Sequence, residues 1–189
     1  GMPDGYEVEH QLDPLSPGIV QLTDGEDQVG VIWLNQEVRD PFTVEFRYRA
    51  GGREGLVFMF YKDRNYSPGG GGALGFSSSR TEVQGYGIEF DNNQNPGDPS
   101  ANHIALIKDK VTNHLKYVND QRTEDNSWHR VRVAVEETKI TVYVDGSSLF
   151  SWYGAIDRTY GGMGFAASTS KTNTHEIDDF KLINGEIIE

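Results

Sequence analysis

The chain has 189 residues, 36% of them hydrophobic and 11% aromatic, enough to fill one core and too few for two full-sized domains. Its 17 Lys and Arg against 29 Asp and Glu leave a formal net charge of −12, the wrong sign for nucleic acid or an anionic membrane surface, which both need a basic footprint. With no cysteine there are no disulfides, thiolate nucleophiles or cysteine zinc sites, and no apolar run approaches the ~18 residues of a membrane span.

The first ten residues carry Asp4, Glu7 and Glu9 and do not read as a signal peptide, and Gly1-Met2 reads as a cloning remnant. No stretch holds apolar residues at helical spacing long enough for a core helix; the plain period is two. Strands are predicted at 19–22 and 29–34. Phe42, Val44, Phe46 and Tyr48 then alternate with Thr43, Glu45, Arg47 and Arg49, which puts one face on a core and the other toward water. Further strands follow at 55–61, 85–91 and 103–108. Segment 129–145 reads as a hairpin, with Val131, Val133 and Val135 on one arm and Ile140, Val142 and Val144 on the other. Asp145-Gly146 turns the chain into Ser148–Tyr153, and strands at 162–168 and 176–183 complete it. Ten or more short strands with turn residues between them predict an antiparallel sandwich forming one domain over 1–189. The connections 62–72, 91–102 and 109–127 are long, and long loops in a compact domain tend to be functional.

The segment from Gly85 to Ile104 is the most informative. Glu89 and Asp91 stand two apart on a strand, so both carboxylates leave the same face and repel each other unless something positive lies between them. Asp98 and His103 follow across a Pro/Gly-rich loop that can return them to that face. Taken alone, the acid pair also fits a solvated strand face. With Asn95, Asp98 and His103 it makes a metal-ligand set. Calcium takes six to eight oxygens, and an imidazole suits a transition ion such as manganese better. One site would use Glu89, Asp91, Asp98 and His103. A second would use Asp91, the Asn93 carbonyl, Asn95 and Asp98.

These residues resemble the metal segment of the legume-type (L-type) lectins of the concanavalin A-like group. That segment has a Glu-x-Asp strand, a loop Asn, then Asp-Pro and a His opening the next strand. Here they are Glu89, Asp91, Asn95, Asp98-Pro99 and His103. Gly71-Gly72-Ala73-Leu74-Gly75 resembles the family's Gly-Gly-x-Leu-Gly loop, and Gly164–Thr169 with Thr174–Ile177 resembles its late strand, loop and final strand. The resemblance implies a concanavalin A-like jelly roll of two antiparallel sheets, a calcium ion, and manganese or another transition ion beside it. It implies a secreted or cell-surface protein that binds a glycan and is not an enzyme. Asn95 would contact both calcium and sugar, Gly72 would offer its backbone N–H, and the loop 169–172, with Ser170 and Lys171, would supply further contacts. Three departures bear on sugar affinity more than on the metals. Glu54 stands where the family has the sugar-binding Asp. Asn93 replaces a stacking aromatic. The metal loop is also one or two residues short.

Two other readings share the fold: an adhesive or structural sandwich without sugar binding, and a retaining glucanase. The latter needs a Glu-x-Asp-x-(x)-Glu strand, and here Asn93, Gln94 and Asn95 follow Asp91. His10, His114, His129 and His175 read as scattered surface or packing residues. Asp178 and Asp179 read as part of a solvated strand face, and Tyr66, Trp152, Tyr153 and Tyr160 as core or rim packing. Membrane insertion is not expected, and an oligomer is left open.

Overall fold

A computed structural model describes residues 18–34, 37–77, 85–171 and 173–185. Gly1-Met2, His10 and Thr172 of the 169–172 loop lie outside the described residues. Among those described, the chain forms β1 (Val20–Thr23), β2 (Val29–Trp33), β3 (Phe42–Ala50), β4 (Glu54–Phe60), β5 (Tyr86–Asp91), β6 (His103–Lys108), β7 (Lys110–Asn119), β8 (His129–Val135), β9 (Lys139–Val144), β10 (Ser147–Tyr153), β11 (Met163–Thr169) and β12 (His175–Asn184). Two single 3-10 turns, Gly71–Ala73 and Gln121–Thr123, are the helical elements among them.

The strands make two six-stranded antiparallel sheets. The back sheet runs β1-β12-β3-β8-β9-β10 and the front sheet β2-β11-β4-β5-β6-β7. The alternation on β3 holds except at Thr43, which is buried: Phe42, Val44, Phe46 and Tyr48 are at most 1% exposed and face the front sheet. Phe46 bridges the layers, its ring centroid 5.7 Å from Phe58, 4.9 Å from Phe165 and 6.3 Å from Phe90. Each such side chain contributes about 1.5–3 kcal/mol by leaving water. The other face of β3 is charged. Arg47 reaches Asp178 at 2.7 Å and Asp179 at 2.9 Å, and Arg49 reaches Glu176 at 2.5 Å, so Asp178 is drawn into a half-buried pair rather than left solvated.

The front sheet is covered on both sides. Its inner face meets the core, and its outer face carries a second apolar cluster of Val31, Trp33, Val57, Met59, Ala105, Ile107 and Ala166, roofed by Tyr66, Leu74 and Phe76. β4, β5 and β11 are therefore buried at every residue, where a surface strand would alternate. Tyr66 joins that roof as a packing residue, whereas Tyr153 and Tyr160 are exposed.

One expectation is corrected. Segment 109–127 is not a long loop: most of it is β7, paired with β6 along the front sheet's free edge. Its sequence, KVTNHLKYVN, is largely exposed, so it lacks the apolar alternation that marks the other strands.

Candidate functional site

β5 sets the site on the outer face of the front sheet. Glu89 and Asp91 project from it, and they are 0% and 1% exposed. That excludes the solvated-face reading of the pair. The β5–β6 register places Asp91 opposite His103. His103 Nε2 lies 2.9 Å from Glu89 Oε1 and 4.0 Å from Asp91 Oδ2. The other ring nitrogen, Nδ1, donates to the Ser100 carbonyl at 3.0 Å. A backbone acceptor on one nitrogen fixes the tautomer and turns the other toward the acids, the usual support for a metal-binding imidazole.

The loop after β5 folds back onto the same face. The Asn93 backbone N–H donates to Asp91 Oδ1 at 2.8 Å. The Asn95 backbone N–H donates to Asp98 Oδ2 at 2.7 Å, and the Asp98 N–H returns to the Asn95 carbonyl at 3.0 Å. Single donor atoms of Asp91, Asp98 and His103 lie within 4.8 Å of one another, and so do those of Glu89, His103 and His114. Donors about 2.0–2.6 Å from a shared cation would be spread over this same range.

The electrostatics point the same way. Burial, opposed by the Asn93 N–H and reinforced by the Glu89 charge, pushes the Asp91 carboxyl up to about 8. Burial also lifts Asp98. Burial would lower the His103 imidazole, but its hydrogen bond to Glu89 and the nearby charges outweigh that and raise it. Glu89 Oε2 and His114 Nε2 are buried and hydrogen-bonded to nothing among the described residues. Crowded carboxylates, nitrogen donors and orphaned polar atoms in one buried place fit a cation.

Beside this cluster, Glu54 opens β4 after a cis Arg53–Glu54 peptide and is 3% exposed. Its Oε2 accepts from Asn95 Nδ2 at 2.8 Å and from Asn93 Nδ2 at 2.9 Å. Burial pushes the Glu54 carboxyl up, but hydrogen bonds from Ser170, Asn95 and Asn93 overcome this and leave it below the usual range. Gly72 lies against the same amide: a Cβ there would stand 2.6 Å from Asn95 Cγ. Glu54, Gly72, Asn93, Asn95 and Ser170 are thus brought together next to Glu89, Asp91, Asp98 and His103. Lys171 is exposed at the edge of the group.

Comparison with known proteins places the chain in a family and its fold among solved structures. A family model described as the legume-like lectin family matches residues 3–148. The chain belongs to the legume-like lectin family. Among solved structures, basic winged bean lectin with Tn-antigen superposes with a TM-score of 0.76 at 17% identity, covering 94% of each chain. The Emp47p carbohydrate recognition domain gives 0.71 at 19% identity, covering 97% of this chain and 90% of that one. The VIP36 exoplasmic/lumenal domain in its Ca2+/Man3GlcNAc-bound form gives 0.67 at 19%, covering 90% and 80%. Identities this low speak to the shared jelly roll. None of the curated proteins matches the chain significantly.

One residue of the cluster escaped the sequence reading. His114 is no scattered surface or packing histidine: its Nε2 lies 2.7 Å from Glu89 Oε1, and its side chain is 8% exposed. Its only sequence signal is a histidine in a polar edge strand, which says nothing about Glu89 until the register is known. His129 instead bridges Asp125 and Asp145 at 2.7 and 2.8 Å, away from the cluster.

Proposed function

We propose that this family member is a calcium-dependent, non-catalytic carbohydrate-binding domain, secreted or displayed at a cell surface. The observation that carries the reading is Glu54 Oε2 holding the amides of both Asn93 and Asn95 beside the buried acids. Asn95 turns Nδ2 to Glu54, while its Oδ1 takes only a long 3.4 Å contact from Asn93 and is suited to complete an oxygen shell. Calcium would be held by Asp91, the Asn93 carbonyl, Asn95 and Asp98, and a transition ion such as manganese by Glu89, Asp91, Asp98 and His103. The metals supply fixed charge that locks the loop. The chain's own residues, Glu54, Asn95, the Gly72 N–H, Ser170 and Lys171, then present donors and acceptors to sugar hydroxyls without an ordering cost. The sugar complexes of the related winged bean lectin and VIP36 support the ligand class. The glucanase reading lacks the second glutamate of its strand motif, since Asn93, Gln94 and Asn95 follow Asp91.

With Asn93 in place of an aromatic, a monosaccharide loses a stacking contribution of about 0.5–1.5 kcal/mol. Binding of single sugars should then be weak, with a Kd on the order of 1 mM, about −4 kcal/mol. Titrating mannose, glucose and galactose into the calcium-loaded protein by NMR should give saturable shifts for at least one sugar. Asn95→Ala and Glu54→Ala should each remove them. No shift with any sugar at high concentration would replace this reading with an adhesive or structural sandwich.

A further inference from the structure

His114 stands out on its strand. β7 is a largely exposed edge strand, yet this side chain is 8% exposed and reaches inward over the front sheet. The cause is a register slip. Leu106 pairs with Lys116, but Ile107 pairs with His114, so Leu115 is the extra residue of a bulge. In unbroken register Ile107 would face Leu115, and His114 would leave by the opposite face. Bulges re-aim side chains in this way, often beside functional sites. Here Leu115 turns to the core and His114 turns to Glu89.

The contact His114 makes there is incomplete as ordinary packing. Its Nε2 is 2.7 Å from Glu89 Oε1 without hydrogen-bond alignment, and it has no other hydrogen-bond partner among the described residues. Glu89 Oε2 is orphaned as well. His103 presents its ring edge-on at 5.3 Å and 76°, and its Nε2 faces the same Glu89 oxygen at 2.9 Å. Two imidazoles and a carboxylate therefore converge, with donor atoms mutually within 4.8 Å. A buried nitrogen and a buried carboxylate oxygen without partners are costly to hold, and both face a position where one cation would satisfy them.

We propose that His114 is a further direct ligand of the transition ion, beside Glu89 and His103, which makes that position a two-imidazole centre tuned to a nitrogen-preferring ion such as zinc or cobalt(II). The inference rests on the metal reading above and extends it: with one imidazole the donor set is dominated by oxygen and suits manganese, whereas a second imidazole shifts it toward zinc. His114 groups with Glu89 and His103 and not with the Asp91, Asp98 and His103 group, so it bears on the transition ion and supplies no calcium ligand.

The test uses the whole chain, stripped of metal and reloaded. Zinc, cobalt(II), manganese and calcium are titrated separately into the wild type, His114→Ala and His114→Gln, with bound metal measured by equilibrium dialysis and the cobalt d–d spectrum recorded. His114→Ala should lose zinc affinity by about tenfold or more, with a smaller loss for manganese, so that the zinc-to-manganese preference narrows. Calcium affinity should stay within about twofold of wild type, since its oxygen ligands are untouched. Nitrogen-15 NMR of the wild-type imidazoles should show His103 and His114 both shifting on zinc binding while His175 does not, a readout that stands even where a variant folds poorly. Unchanged zinc affinity and cobalt spectrum in both variants, or a His114 resonance insensitive to zinc while His103 moves, would overturn the assignment. A wild type that takes calcium but no transition ion would overturn it and leave the calcium reading standing. A wild type that takes neither would overturn both.

Discussion

His175 is fully buried where the last strand begins, two residues after Asn173. The amide of Asn173 donates to its Nε2 at 3.2 Å, so Nδ1 carries the proton and donates to Thr23 Oγ1 at 2.7 Å. The Thr23 hydroxyl in turn donates to the Asn173 carbonyl at 3.3 Å. A second ring proton would point at the Asn173 donor, and burial holds the imidazole down at about 3. The unfolded chain takes up that proton near 6.5 and the folded chain refuses it, so the stability from this neutral ring is complete above pH 6.5 and is lost as the pH falls below it. Each unit of acidification in that window should remove about 1.4 kcal/mol. Asp91 in the metal-free protein acts in the opposite direction, because its folded value, about 8, lies above the unfolded one. Urea unfolding of wild type and His175→Gln between pH 7 and 5 therefore isolates the histidine in the difference between the two. The wild type should lose about 2 kcal/mol more than the variant over this range. Parallel pH profiles would show that His175 protonates freely in the fold.

At the scale of elements, the site depends on a loop locked between strands. Gly72, in the 3-10 turn Gly71–Ala73, approaches Asn95 so closely that a Cβ would lie 2.6 Å from its Cγ and 2.7 Å from its Nδ2. Asn95 has little room to give, being tied to Glu54 and Asp98. Gly72→Ala should displace the Asn95 amide and weaken calcium binding about tenfold, or about 1.4 kcal/mol. The turn is at the surface of the site and not in the core, so the melting temperature of the metal-free variant should move by no more than about 2 °C. Calorimetric titration with calcium beside a thermal scan checks both; unchanged calcium affinity would separate Gly72 from the site. Elements also explain what the sequence made legible. β3, β8 and β9 have one apolar and one polar face, and their period of two reads directly from Phe42–Tyr48, Val131–Val135 and Ile140–Val144. β7 has no such period because it is an edge with little to bury. Glu89, Asp91, Asp98 and His103 sit on one strand, its following loop and the next strand, so their spacing announced them. His114 reaches the same cluster only through a three-strand register and a bulge, neither of which local spacing encodes.

The molecule as a whole keeps its core apart from its candidate site. Among the described residues, the aromatic core between the sheets and the ion pairs on the outer face of the back sheet include none of the candidate site residues, while the second apolar cluster on the front sheet holds Leu74 and Phe76 of the loop that carries Gly72. Lacking a stacking aromatic at Asn93, such a site favours many weak contacts, and its useful affinity should come from several copies engaging one glycan surface. The central claim, a sugar site held in shape by metal, is tested most directly by probing a multivalent form of the domain on a glycan array in calcium, in chelator, and after calcium is restored. A defined subset of glycans should bind in calcium, lose binding in chelator and recover it on readdition. Failure of the calcium-loaded protein to bind any glycan, or binding that chelator leaves unchanged, would contradict the account.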